Sequence, residues 1–137
     1  MHCRACASGA GAATSTSPRR TALVASKGKS AYVAAKHGIT GLTKTVALEC
    51  AEDGVTANAT CPNFVRTELV DKQIRKLAAS RGLGADEVAG DFVGEKHPSR
   101  NFVRATDAAD FAVFLCSEAA ASITGAVLPI DGGWTAQ

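Results

Sequence analysis

The composition of the chain breaks after residue 22, and that break limits what can fold. Residues 1–22 contain no Val, Ile, Leu, Phe, Tyr or Trp. Such a stretch cannot bury enough apolar surface to offset its ordering entropy. Residues 1–22 are therefore expected to be a disordered leader, with the folded part running over 23–137. Across the whole chain 46% of residues are hydrophobic and 20% are charged, as in an ordinary globular domain. The net charge is +2 and the basic residues are scattered, which argues against nucleic acid or a membrane surface as a partner. The N-terminus lacks the apolar core of a secretory signal. A cytoplasmic chain with reduced thiols is expected. Cys50, Cys61 and Cys116 lie in apolar stretches and are expected in the core. Cys3 and Cys6 form a C-x-x-C with no βαβ context and no second ligand pair. His2, His37 and His97 have no metal-ligand spacing, so no metal is expected.

Periodicity predicts the order helix, strand, helices, strand. Ser30 is placed to cap a helix over 31–51, stopped by Asp53-Gly54. Its small residues, among them Ala34, Gly38, Gly41 and Ala47, suggest close packing on two sides. Residues 55–61 are a short apolar run, read as a buried strand that Pro62 ends. Thr67 caps a helix reaching about Ala79. Residues 80–105 hold one short helix. Thr106 caps another that ends near Ser117, with Ala109, Val113 and Phe114 beginning its apolar face. Residues 126–130 form the last strand, and Asp131-Gly132-Gly133 turns the chain. This order belongs to an α/β parallel sheet, yet two strands cannot make a stable doubly wound core. The expected fold is the C-terminal half of a doubly wound, Rossmann-like parallel sheet, with the N-terminal strands missing.

The chemistry centres on Tyr32 and Lys36, four residues apart on one helix face. A phenol is a poor base at neutral pH, and a nearby ammonium favours the phenolate. Such a pair can exchange a proton with an alcohol while hydride leaves the carbon. Alone, the spacing is a weak pattern and favours a half-exposed Tyr beside a solvated Lys. Gly9-Ala10-Gly11 is not a dinucleotide loop, because no strand precedes it and no third glycine follows.

The surroundings of the pair narrow the reading. Residues 30–38 (SAYVAAKHG) are followed by Leu42-Thr43-Lys44, Val55-Thr56-Ala57-Asn58 and residues 61–67 (CPNFVRT). The chain then closes with Ser122-Ile123-Thr124-Gly125 and Asp131-Gly132-Gly133-Trp134. In this order and spacing, residues 23–137 resemble the short-chain dehydrogenase/reductase family. Within it, Val24-Ala25-Ser26, Lys29, residues 111–116 (FAVFLC) and the closing residues 133–137 (GWTAQ) are most similar to bacterial D-3-hydroxybutyrate dehydrogenases.

The resemblance implies an NAD-dependent oxidoreductase that interconverts 3-hydroxybutyrate and acetoacetate. It makes Tyr32 the general acid/base and Lys36 the residue that tunes it and holds the nicotinamide ribose. Pro62, Asn63, Phe64, Val65 and Thr67 would line the nicotinamide and pyrophosphate. The family's usual Pro-Gly is here Pro62-Asn63, and Asn tolerates a positive φ well enough for the turn to survive. Lys29 and Gln73 match positions that hold the substrate carboxylate, and Trp134 matches one that closes the pocket. Plainer readings of these three are a surface Lys, a solvated Gln and a core Trp. Full-length relatives are expected to be homo-tetramers.

The chain lacks the first strand–turn–helix that would cradle a pyrophosphate, so as a fragment it is expected to be inactive. Two alternatives stand: a non-catalytic remnant that at most associates with intact subunits, or a dehydrogenase for another small alcohol. The family also expects a serine thirteen residues before the tyrosine, where this chain has Arg19. Shifting the codon frame over 15–22 permits an apolar strand ending in serine at that position. Residues 1–22 are therefore read either as disordered or as an out-of-frame leader.

Overall fold

In a computed structural model the chain is described over residues 12–15, 22–95 and 97–136. Strand β2 (Thr56–Pro62) organises the rest. It is buried from Ala57 through Cys61, as expected of a small and β-branched run covered on both faces. It is the middle strand of a parallel sheet in the order β1-β2-β3, with β1 spanning Ala12–Ser15 and β3 spanning Val127–Ile130. Ala12 pairs with Thr56 and Ser15 with Ala59 on one side; Ala59 pairs with Val127 and Pro62 with Ile130 on the other.

The expectation of two strands is corrected by β1. It lies inside the 1–22 segment, where its backbone pairs with β2. A strand needs only its backbone groups to join a ladder, so weak apolar content did not prevent pairing. Cys3, Cys6, His2, Gly9-Ala10-Gly11 and Arg19 lie outside the described residues.

Helix α1 (Ser30–Glu49) packs against β2. Lys29, not Ser30, occupies its cap position, and no side chain caps it. The expected close packing on two sides is not seen: only Thr43 and Ala47 are buried, while Leu42 is 61% and Leu48 81% exposed. Helix α2 (Glu68–Arg81) starts as read, with the Thr67 hydroxyl accepting from the Val70 N–H at 3.4 Å. It runs two residues past Ala79, to Arg81, and is stopped by Gly82, which takes the left-handed conformation a helix stop favours. Helix α3 (Ala85–Gly94) is the one short helix expected in the 80–105 region, and it packs on α2 through Ile74, Ala78, Val88 and Ala89.

Helix α4 (Ala105–Leu115) starts before Thr106. Asp107 decides this, because its carboxylate accepts from the Arg104 backbone N–H at 2.9 Å and so fixes the start one turn back. Its apolar face is also corrected. Leu115 is buried, whereas Val113 is 69% exposed and Phe114 is exposed too.

One side chain quoted in the Val55-Thr56-Ala57-Asn58 motif, but given no role there, ties the sheet together. Asn58, buried in β2, donates from Nδ2 to the Ile123 carbonyl at 2.7 Å and accepts on Oδ1 from the Ala126 N–H at 3.1 Å. The Thr124 hydroxyl accepts from the Ala57 N–H at 3.1 Å beside it. The segment before β3 is thus held on β2 by polar contacts.

Of the three cysteines read as core, only Cys61 is fully buried; Cys50 and Cys116 are half-buried. Burial, with help from the Asp131 charge, pushes the Cys61 thiol from 9.0 up to about 11. The folded chain therefore keeps this proton where the unfolded chain loses it. The stabilising contribution is intact below pH about 9 and is lost as pH rises towards about 11. Urea midpoints at pH 8 and pH 10.5 should fall less in Cys61→Ala than in the parent chain. Equal falls would remove Cys61 as a cause.

Candidate functional site

The C-terminal ends of parallel strands are where open α/β sheets place ligands. Here the end of β2 runs directly into Pro62-Asn63-Phe64-Val65-Arg66-Thr67. Asn63 is buried, its N–H bonded to the Ile130 carbonyl at 3.0 Å, and its side-chain Nδ2 is buried with no hydrogen-bond partner among the described residues. The positive φ expected at Asn63 falls one residue later, on Phe64, at +42°. Asn63 itself does not take a positive φ, and its N–H is bonded to β3. A bulky residue at positive φ is strained, and it persists only where its surroundings hold it.

Those surroundings are specific. Val65 forms a parallel bridge with Val103, and the Arg66 N–H donates to the Val103 carbonyl at 3.0 Å. The Arg66 side chain donates to Asp71 at 2.9 Å and lies over the Phe102 ring at 5.6 Å. Phe64 stands edge-on to Phe92 at 5.7 Å and to His97 at 5.5 Å. Thr67 closes the loop as the cap of α2. The loop is thus fixed at both ends and along its length.

Tyr32 and Lys36 are brought together on the first turns of α1, with the Lys36 ammonium 5.4 Å from the centre of the Tyr32 ring. Tyr32 is 38% exposed. Lys29, Gln73 and Trp134 stand on three separate elements. Lys29 is exposed at the cap of α1, and Gln73 is exposed on α2. Trp134 is half-buried and opens a final single turn of 3-10 helix, Trp134–Ala136.

The turn before Trp134 is built by Asp131. Its carboxylate accepts from the N–H groups of Gly133 and Thr135 at 3.1 and 3.0 Å, and from the Thr135 hydroxyl at 2.7 Å. Two buried polar groups near this site, Asp131 and His97, were absent from the site reading. Asp131 could have been suspected from the Asp-Gly-Gly turn. His97 carries no local signal. His37, by contrast, is exposed, its Nδ1 3.0 Å from the Val33 carbonyl oxygen. Among the described residues no group of acidic, His and Cys side chains could hold a metal, and no helix is long and apolar enough to cross a membrane.

The family profile described as Enoyl-(Acyl carrier protein) reductase matches residues 2–135. The chain is 52% identical over 115 residues to D-beta-hydroxybutyrate dehydrogenase of Rhizobium meliloti, covering 84% of the chain and 45% of that protein. It is 53% identical over the same length to the protein of that name from Cupriavidus necator, again covering 84% and 45%. The chain thus spans less than half the length of these relatives. Among solved structures, L-sorbose reductase of Gluconobacter frateurii, in complex with NADPH and L-sorbose, superposes with a TM-score of 0.84 at 26% identity, over 94% of this chain and 49% of that one. A short chain dehydrogenase family protein of Francisella tularensis superposes with a TM-score of 0.80 at 29% identity, over 94% and 52%.

Proposed function

The chain belongs to the short-chain dehydrogenase/reductase family, and from that membership we propose that it is the C-terminal part of an NAD-dependent enzyme interconverting 3-hydroxybutyrate and acetoacetate. The observation that carries the proposal is the Tyr32–Lys36 pair on α1, in a chain 52% and 53% identical to two D-beta-hydroxybutyrate dehydrogenases. The completed protein would be a cytoplasmic homo-tetramer.

The residues present fit a nicotinamide. Asn63 offers a buried amide donor without a partner among the described residues, which suits a carboxamide oxygen. Pro62, Phe64, Val65 and Thr67 would frame it, and Lys36 would reach its ribose. When bound, the nicotinamide supplies or takes the hydride. Tyr32 would hold or release the proton at the substrate oxygen. Lys36 sets positive charge beside the phenol ring. Lys29 and Gln73 would hold the substrate carboxylate, and Trp134 would exclude water from the pocket.

On this reading the chain by itself is inactive. A three-stranded sheet and a span of 45% of the relatives' length support that. The purified chain should not oxidise NADH with acetoacetate. Joined in frame to the N-terminal half of the Rhizobium relative, it should, with NADH preferred over NADPH. Turnover of other small ketones but not acetoacetate by the joined protein would replace the substrate assignment. Turnover by the chain alone would end the claim of inactivity.

A further inference from the structure

Three segments of the site meet on one histidine. His97, just beyond α3, is fully buried, and its N–H donates to the Val93 carbonyl at 2.7 Å. Its Nδ1 lies 2.8 Å from the Asn101 carbonyl oxygen. A carbonyl only accepts, so Nδ1 carries the hydrogen. On one side the ring faces Phe64 edge-on, at an interplanar angle of 89°. On the other side the Asp131-Gly132 turn rests against it. A Cβ added at Gly132, whose φ is +60°, would sit 2.9 Å from His97 Nδ1 and 2.4 Å from Ser99 Oγ. The Ser99 N–H donates to the Gly132 carbonyl at 3.0 Å, locking the same turn from the next residue but one. Trp134 follows directly, its N–H donating to the Asp131 carbonyl at 3.2 Å.

A histidine here carries a cost. Its Nε2 is buried with no hydrogen-bond partner among the described residues, and an unmet buried polar atom is unfavourable. An apolar side chain could fill similar space without that cost. It could not, however, make the Nδ1 bond that fixes the ring plane between Phe64 and Gly132.

We propose that His97 is a positioning residue that sets the spacing between the Phe64 loop and the Trp134 turn, so that both move as one body. What those two walls hold rests on the function proposed above; the coupling between them does not.

Trp134 is the only tryptophan in the chain and reports on the turn directly. The measurement is acrylamide quenching of its fluorescence in the full 137-residue chain. His97→Leu should raise the quenching constant roughly two-fold by freeing the turn. His97→Asn keeps an amide donor near the Nδ1 position and should restore most of the protection. Val88→Ala, which opens a cavity in the α2–α3 contact, should lower the thermal midpoint without changing the quenching. Phe64→Leu should also raise the quenching, because its contact reaches the turn through His97. Adding it to His97→Leu should then have no further effect. Parent-like quenching in His97→Leu overturns the proposal, and so does an equal rise in Val88→Ala. Should His97→Leu fail to fold, indifference of Trp134 to Phe64→Leu overturns it alone. Failure of acetoacetate reduction in the joined protein would remove the proposed function and leave these outcomes standing.

Discussion

Replacing Tyr32 with phenylalanine should lower kcat of the joined, full-length protein by about 10²–10⁴-fold, the usual worth of a positioned acid/base group. The change deletes one oxygen and keeps the ring against which Lys36 lies at 5.4 Å. Since Tyr32 is exposed at 38%, folding should be little affected, and the thermal midpoint should stay within a degree or two of the parent. NADH binding, read by fluorescence titration, should persist, because phenylalanine keeps the ring and leaves Lys36 and the proposed nicotinamide loop in place. A Tyr32→Phe protein with parental kcat would remove the proton-transfer role. A matching loss of NADH affinity would show instead that the phenol binds rather than reacts.

Replacing Asn58 with alanine should produce the largest loss of stability. Its two hydrogen bonds, to the Ile123 carbonyl and from the Ala126 N–H, would both be broken. Asn58 is 2% exposed, so water cannot replace them cheaply. Each part-buried backbone group left unmet costs at most about 1–3 kcal/mol, giving an upper range of roughly 2–6 kcal/mol for the two. Urea unfolding followed by circular dichroism measures this. The approach to β3 should loosen first, with faster amide exchange at Gly125 and Ala126 than in α2. A change below about 0.5 kcal/mol would place Asn58 among ordinary surface residues and contradict its role as the tie.

Parts of the fold were legible because their causes are local. The Thr67 cap, the β2 strand and the Asp131-Gly132-Gly133 turn depend on residues within one turn of each other, and the structure has all three. The four-residue spacing of Tyr32 and Lys36 is likewise a property of any helix. Errors came where burial decided. Small residues along α1 suggested two packed faces, yet Leu42 and Leu48 remain in solvent. Whether a helix face is covered depends on elements far away in sequence, and periodicity records only the face.

The sequence by itself therefore determined the order of the helices and strands from α1 onward, the placing of Tyr32 and Lys36 on one helix face and the family. Tertiary structure alone decided that Ala12–Ser15 joins the sheet, that Phe64 rather than Asn63 carries the positive φ, and that His97 is enclosed between two loops. The reason is physical. Helix spacing and capping are set by neighbours along the chain, whereas strand pairing, backbone strain and the enclosure of a polar ring are set by groups that meet only after the chain has folded.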